Sequence, residues 1–274
     1  MKLSLVYMVA GLSSRFGGKI KQLTKVGKNN ETFIECSIQQ ALKGTNNKIS
    51  KIIFIVGEKT FDPFKELFKD KYKGIPIYYV KQTYDIEKRD RPWGTADAIS
   101  VIKDIINEPC SICNGDDLYG ESSFKTLLNH FEKNKNTKEN AVISMPLIKT
   151  LPEQGEVTRG IFKVKNNYLQ EAIEVFNISQ TNFKEKNLTE NSLCNINLFG
   201  LHPEVIDKID ERVKAFKEIN KNDRKIECFI HVELAELCKN NEIKLRVYES
   251  KEKWLGITNP EDENIVREEL RRIN

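Results

Sequence analysis

Short apolar segments alternate with segments of helical spacing through the N-terminal half of this chain. The apolar segments are Leu3–Ala10, Lys51–Val56, Ile75–Val80 and Pro109–Cys113. Between them, Glu31–Leu42 and Thr95–Ile106 repeat apolar residues every three or four positions, as amphipathic helices do. Strands that alternate with helices pair in parallel through right-handed crossovers. The pattern therefore predicts an α/β fold with a doubly wound, mostly parallel mixed sheet flanked by helices.

The second half of the chain follows a different pattern. Its apolar runs are separated by polar stretches and comprise Ala141–Leu147, Gly160–Val164, Asn195–Leu201 and Ile243–Tyr248. Two further helices are predicted at Ser122–Lys135 and Pro203–Lys217, and the polar segment Phe176–Ser192 is predicted to form a loop. Since no repeat or linker is visible, we predict one domain over residues 1–274, with halves at 1–140 and 141–274.

Charge and composition exclude several classes of protein. The 274 residues carry 44 Lys and Arg against 40 Asp and Glu, a net charge of +4, which does not require a nucleic-acid surface. Apolar runs fall well short of the roughly 20 residues that span a membrane. Six cysteines without an export signal predict reduced thiols. We expect a cytoplasmic protein that binds neither nucleic acid nor membrane, and its oligomeric state is left open.

A glycine-containing loop follows the first apolar segment, over residues 8–18. Glycine at the carboxyl end of a strand lets backbone N–H groups, here around Ala10 and Gly11, approach an anion closely. The next residues add five cations and no acid, namely Arg15, Lys19, Lys21, Lys25 and Lys28. This pattern favours a polyphosphate ligand. The alternative is a solvated surface loop, because no dinucleotide or P-loop fingerprint is present.

Two adjacent carboxylates follow the apolar run that ends at Cys113. They are Asp116 and Asp117, within Asn114–Gly120. Neighbouring carboxylates at a strand end favour a neutralising cation, and Mg²⁺ usually takes one or two carboxylates together with phosphate oxygens. The alternative is an ordinary turn, because Asn, Gly and Asp all form turns well.

These motifs together resemble the sugar-nucleotidyltransferase superfamily, in particular a branch whose opening loop reads Arg-(Tyr/Phe)-Gly-Gly. Gly11, Arg15 and Lys21-Gln22 match its opening loop, and Asn114–Asp117 matches its metal-binding strand end. Trp93–Ile99 resembles the family's Gly-Thr-x-x-Ala segment, which contacts the base, and Gln82 resembles its base-reading glutamine. In the second half, the matching segments are Gly155–Gly160, Glu171–Glu174, Asn195–Leu201 and Trp254–Asp262. The resemblance therefore covers nearly the whole chain.

The resemblance implies a nucleotide-diphospho-sugar transferase-like fold and a Mg²⁺-dependent enzyme. Such an enzyme couples a nucleoside triphosphate to a sugar-1-phosphate and releases pyrophosphate. Residues 1–140 would bind the nucleotide and 141–274 the acceptor. The implied catalytic residues are Arg15, Lys21 and Asp116, with Asp116 also holding the metal. The implied nucleotide-binding residues are Ala10, Gly11, Gln82, Gly94, Thr95 and Asp117, and the implied acceptor-binding residues are Glu174 and Asn197.

Two departures from the family pattern leave alternatives open. Gly256 stands where many members have an aspartate that completes the metal site, and Val175 replaces a lysine that follows the sugar-binding glutamate. The motifs around Lys21-Gln22 and the closing segment also resemble cytidylyltransferases that act on isoprenoid and polyol phosphates. A cytidylyltransferase for a non-sugar phosphate, a non-catalytic nucleotide-binding module and a glycosyltransferase are the remaining hypotheses. The base and the acceptor stay open.

Overall fold

The computed structural model describes residues 1–11, 18–152, 154–257 and 262–272. Twelve β-strands lie in this part of the chain: β1 (Leu3–Met8), β2 (Ile49–Val56), β3 (Lys71–Tyr72), β4 (Ile75–Lys81), β5 (Cys110–Asn114), β6 (Asp117–Leu118), β7 (Glu139–Pro146), β8 (Val157–Lys165), β9 (Tyr168–Ile178), β10 (Leu193–Leu201), β11 (Lys244–Glu249) and β12 (Leu255–Gly256). Its seven α-helices are α1 (Phe33–Gly44), α2 (Glu58–Phe68), α3 (Thr95–Ser100), α4 (Glu121–Lys133), α5 (Pro203–Ile219), α6 (Ile230–Lys239) and α7 (Asp262–Arg272).

Ten of these strands form one mixed sheet in the order β3-β4-β2-β1-β5-β10-β7-β11-β9-β8. The run β4-β2-β1-β5 is parallel, as the alternating pattern predicts, and β7 also pairs in parallel with β11. The remaining pairs in the second half are antiparallel, and β6 and β12 form a separate small ladder. The predicted α/β fold with a central mixed sheet is confirmed, and its one continuous parallel run, β4-β2-β1-β5, belongs to the first half.

Helices cover both faces of the sheet because the central strands are apolar on both sides. On β1, Leu5 and Tyr7 pack in a core with α1, α2 and α4, whereas Val6 packs in a second core with α3, α5 and α6. All three side chains are fully buried. Strands buried on both faces read as continuous apolar runs, which is how the first strand could be recognised.

Some helices differ from the prediction. The helix expected over Thr95–Ile106 ends at Ser100, and Lys103–Ile105 forms a 3-10 turn. The segment is rich in β-branched residues, which lose side-chain freedom in a helix. Helices α2 and α6 were not predicted. Only three residues of α2 are buried, so its apolar pattern is weak, and the helix contains Pro63. The predicted loop is confirmed in part, because β9 extends to Ile178 and residues 179–192 form neither helix nor strand.

The described residues contain no helix long and apolar enough to span a membrane. All six cysteines are free, and five are buried. Cys110 and Cys113 belong to the two different cores, so they pack on opposite faces of β5. Burial raises the pKa of the Cys110 thiol to about 12, so this thiol is unreactive.

Candidate active site

A pocket of about 430 Å³ lies at the carboxyl edge of the parallel strands. Ligands of open α/β sheets bind at this edge. Eight of the predicted site residues line the pocket: Ala10, Gly11, Lys21, Gln82, Gly94, Thr95, Asp116 and Asn197. A larger pocket, of about 680 Å³, lies beside α1 and β12 and is lined by none of the predicted site residues. Arg15 lies outside the described residues.

Lys21 and Asp116 form an ion pair at the floor of this pocket. Lys21 lies on a 3-10 turn, Lys21–Leu23, and its Nζ also donates to the carbonyl oxygen of Ile257 at 2.9 Å. The two side chains are 15% and 28% exposed, so both can still meet a ligand. The structure thus brings together a cation and a carboxylate that are 95 positions apart in the chain.

Asp117 lies behind the pocket and does not line it. Asn114 Nδ2 donates to its Oδ2 at 2.8 Å, and the hydroxyl of Tyr119 lies 3.3 Å from the same oxygen. Burial, together with the adjacent charge of Asp116, raises the pKa of Asp117 to about 7. Asp117 is a predicted nucleotide-binding residue, but its side chain is buried against Asn114 and Tyr119 and has no contact with the pocket.

Asp116 fits a Mg²⁺ ligand in this arrangement. Its carboxylate is partly exposed at the pocket, and Mg²⁺ commonly takes few protein carboxylates and completes its shell with phosphate oxygens and water. Within the described ranges, no group of three or more His, Cys, Asp or Glu could hold a metal by itself. The donor set thus suits a metal that arrives with a polyphosphate.

Gly256, where an acidic residue is common in the family resembled, pairs directly with Asp117 across the β6–β12 ladder. A Cβ at position 256 would lie 2.8 Å from Asp117 Oδ1 and 3.1 Å from the Trp254 ring. The buried Asp117 side chain therefore occupies the space beside this glycine. No side chain larger than hydrogen fits there without moving one of these neighbours.

Asn197 reaches the pocket because β10 contains a bulge. The register with β7 shifts between Asn195 and Leu198, and Asn197 has a φ of 55°. Asparagine tolerates this left-handed conformation better than most residues, and bulges redirect side chains. Asn195 Nδ2 donates to Asn197 Oδ1 at 2.7 Å, which fixes the amide of Asn197.

Gln82 is buried and its orientation is set by two acceptors. Its Nε2 donates to the carbonyl oxygen of Gly94 at 3.0 Å and to Asp97 Oδ2 at 2.8 Å. Asp97 also forms an ion pair with Lys217 of α5. Because both amide hydrogens are used in this way, Oε1 is the atom of Gln82 that remains to accept a hydrogen bond from a ligand.

Gly94 and Thr95 are held by the loop that precedes α6. The Thr95 hydroxyl accepts from the backbone N–H of Ile230 at 3.0 Å, and Cys228 N–H donates to Trp93 at 2.7 Å. Gly94 has a φ of 99°, and a Cβ there would lie 2.6 Å from the Cys228 carbonyl oxygen. Glycine is thus required at this edge of the pocket by packing as well as by conformation.

Glu174 lies on β9, outside the pocket lining. Its Oε2 is 2.8 Å from Nε2 of the buried His231 on α6. The sequence contained no signal for this pair, because the two residues are 57 positions apart and His231 follows no ligand spacing. Gln22, which the sequence matched to the opening loop without giving it a role, also lines the pocket, and its buried Oε1 has no partner among the described residues.

The predicted cationic cluster is divided between two places. Lys21 faces Asp116, but Lys25 and Lys28 line a different pocket together with Arg267 and Arg271 of α7. Lys25 and Lys28 therefore do not belong to the polyphosphate site that the run of cations predicts. Spacing along the loop did not reveal that the chain turns away from the sheet edge after the Lys21–Leu23 turn.

Three solved structures share this fold over nearly their whole length. A structure assigned to a glucose-1-phosphate thymidylyltransferase from Bacillus anthracis has 16% identity and a TM-score of 0.70, covering 99% of this chain and 96% of that chain. The inositol-1-phosphate CTP transferase from T. maritima has 13% identity and a TM-score of 0.68, with coverage of 99% and 96%. A UDP-glucose pyrophosphorylase complexed with UDP-glucose has 15% identity and a TM-score of 0.66, with full coverage of both chains.

Sequence comparison places the chain more directly. No curated protein is a significant match. A family model described as nucleotidyl transferase matches residues 17–263, which is most of the chain. The chain therefore belongs to the nucleotidyl transferase family of enzymes.

Proposed function

We propose that this enzyme transfers a nucleotidyl group from a nucleoside triphosphate to the phosphate of a small phosphorylated acceptor, with Mg²⁺, and releases pyrophosphate. The observation that carries the proposal is the Lys21–Asp116 pair in a pocket at the carboxyl edge of β1 and β5. A sugar-1-phosphate is the favoured acceptor, and a polyol phosphate is the alternative.

The reaction needs positioning and charge neutralisation rather than a covalent intermediate. An oxygen of the acceptor phosphate forms a bond to the α-phosphorus, the bond from that phosphorus to the bridging oxygen breaks, and pyrophosphate leaves with the electron pair. Lys21 would exchange Asp116 for oxygens of the α-phosphate and the acceptor. Backbone N–H groups at Ala10 and Gly11 would hold the triphosphate, together with Arg15.

Asp116 would hold the metal, which when bound offsets negative charge on the α-phosphate. The ion pair of Lys21 and Asp116 keeps both groups in place before ligands arrive, because each is the other's counter-ion. On nucleotide binding, Lys21 would pair with phosphate oxygens and Asp116 with the metal, so each group would exchange its present counter-ion for a new one.

The orientation of Gln82 bears on the base. The free acceptor oxygen of Gln82 suits any base edge that donates a hydrogen bond, so the choice between pyrimidines and purines rests on the structural neighbours. The names of the structural neighbours contain thymidylyl, UDP and CTP. We therefore expect pyrimidine nucleotides to be better substrates than purine nucleotides.

The proposal is tested by pyrophosphate release, measured with each nucleoside triphosphate against a panel of sugar-1-phosphates and polyol phosphates. With the productive pair, Lys21→Met and Asp116→Asn should each lower turnover by about 10²–10³-fold, the range typical of a lost group that stabilises developing charge. Circular dichroism should show an unchanged fold in both variants.

Lys28→Met is the matched control, because Lys28 lies in the same cationic run but lines the other pocket. It should keep turnover within about twofold of the parent enzyme, as for a surface charge remote from the reaction. Near-parental turnover in K21M or D116N would refute the assignment of those residues. No release with any pair, combined with tight nucleotide binding, would favour a non-catalytic binding module.

A further inference from the structure

Arg159 on β8 is a half-buried cation without a counter-ion in the described part of the chain. Its NH1 donates to the carbonyl oxygen of Thr158 at 3.1 Å, and its NH2 donates to that of Thr150 at 2.8 Å. A guanidinium has five N–H groups, so most of its donor capacity is left for something other than these two carbonyls.

Arg159 differs in this respect from the other arginines that are not exposed. Arg212, Arg246 and Arg267 each lie within 4 Å of a glutamate. Arg89 has no carboxylate partner, but it donates to three backbone carbonyls. Because a buried charge without a partner is costly, the environment of Arg159 is one that an anion would complete.

Arg159 lies outside the lining of the 430 Å³ pocket, on the strand that pairs with the Glu174 strand. Across the β8–β9 ladder it lies opposite Val175, the residue next to Glu174. Burial lowers the pKa of Arg159, and the nearby charges of Asp117 and Glu174 act against this effect. The guanidinium therefore stays charged, and its charge interacts with the carboxylates of Asp117 and Glu174.

A second donor without a partner lies beside Arg159. The guanidinium carbon is 5.3 Å from the centre of the Trp254 ring, and Nε1 of that ring is buried with no acceptor among the described residues. Lys21 and His231, the other positively charged or proton-donating groups nearby, are already bound to Asp116 and Glu174. Among these groups of the described chain, Arg159 is thus the one whose charge has no carboxylate partner.

We propose that Arg159 binds the phosphate group of the acceptor in the proposed reaction. A guanidinium matches the geometry of a phosphate through two parallel hydrogen bonds. This inference rests on the proposed function, because it names the ligand of the acceptor side of the same reaction.

The first test needs no catalytic activity. Trp93 and Trp254 are the two tryptophans, so in Trp93→Phe protein the fluorescence reports on Trp254 alone. Titration with inorganic phosphate at constant ionic strength should give a saturable change. In W93F/R159M the midpoint should rise at least about tenfold, since a hydrogen-bonded charge pair is lost. In W93F/K163M, which removes an exposed cation of the same strand, the midpoint should not move.

An equal response in W93F and W93F/R159M would overturn the proposal, as would the absence of a saturable change in W93F. Thermal unfolding of each variant, followed by circular dichroism, establishes that the titrated protein is folded. Arg159→Lys should recover only part of the phosphate response, because an ammonium offers a point charge without the planar fork.

The second test separates this inference from the proposed function. In the pyrophosphate assay, R159M should raise the KM of the acceptor by about 10–100-fold and leave the KM of the nucleotide within about twofold. Active parent enzyme with an unchanged acceptor KM in R159M would refute the role of Arg159 alone. Parent enzyme that is inactive with every pair would refute the proposed function, and the phosphate titration would then decide the role of Arg159 by itself.

Discussion

Gly160 packs directly against the ring of His231, so only a hydrogen atom fits at its side-chain position. A Cβ at this position would lie 2.7 Å from Nε2 and 2.8 Å from Cδ2 of His231, whose ring is 4% exposed. Because the ring cannot move into solvent and is hydrogen-bonded to Glu174, Gly160→Ala should lower the free energy of unfolding by about 1–3 kcal/mol, as overpacking does. Urea unfolding followed by circular dichroism measures this change.

Gly11→Ala is the control for that prediction, since a Cβ at Gly11 would meet no atom of the described residues within 4 Å. Its free energy of unfolding should stay within about 0.5 kcal/mol of the parent protein, as is usual for a surface substitution. Equal stability of G160A and G11A would mean that His231 has room to shift.

The sequence predicted site residues that belong to recognisable motifs, and it missed residues whose role depends on contacts between distant strands and helices. Lys21, Asp116 and Asn197 come together as expected, because the fold brings the ends of their segments to one edge. Arg159 and His231 had no signal of their own in the sequence. Only the tertiary structure shows that Arg159 donates to a carbonyl oxygen instead of a carboxylate, and that His231 bonds to Glu174.

At the scale of elements, two loops beside the pocket are joined through Arg89. Its guanidinium donates to Arg91 O at 3.1 Å within the 84–94 loop, and to Asp223 O and Ile226 O at 2.6 and 2.5 Å in the 220–229 loop. It also stacks on Trp93, with its Cζ 3.5 Å from the ring centre. The arginine is 2% exposed, so these bonds are shielded from water.

Arg89→Met should therefore lower the free energy of unfolding by about 2–4 kcal/mol, because it leaves buried carbonyls without a charged donor. The KM of the nucleotide should also rise, since Gly94 at the end of this loop lines the pocket. Thermal unfolding and the pyrophosphate assay measure the two effects. Arg91→Met, which removes an exposed ion pair with Glu227, should cost less than about 1 kcal/mol, and an equal cost for both variants would contradict the role given to Arg89.

Elements with strong periodicity were predictable, and elements held mainly by their neighbours were not. α1 begins with a capping box at Thr32 and Glu35 and follows the apolar pattern closely. α6 begins without a side-chain cap, and the Thr95 hydroxyl binds its first N–H group from elsewhere in the fold. Local sequence carries no record of that contact, which explains why the helix was missed.

At the scale of the whole molecule, one sheet runs through both predicted halves. Strand β10 joins them, because it pairs with β5 of the first half and with β7 and β8 of the second. The antiparallel direction of this strand was not visible in the sequence, since an apolar run does not reveal its pairing partner. The same strand carries Asn197 into the pocket, so the junction of the halves and the site coincide.

The stability of the whole fold should depend on pH through a buried histidine of α4 that packs against β7 and β11. His130 bonds to the Tyr248 hydroxyl at 3.0 Å and to the Glu139 carbonyl oxygen at 2.9 Å, and burial lowers its pKa. The unfolded chain, with a histidine pKa of about 6.5, therefore binds protons first as the pH falls, and stability that is fully present above that pH is lost below it. His130→Gln lacks this titration, so the gap in unfolding free energy between parent and variant should narrow from pH 8 to pH 5. Asp117, whose pKa is raised, acts in the opposite direction but equally in both proteins, so a gap that stays constant across this range in urea unfolding would refute the prediction.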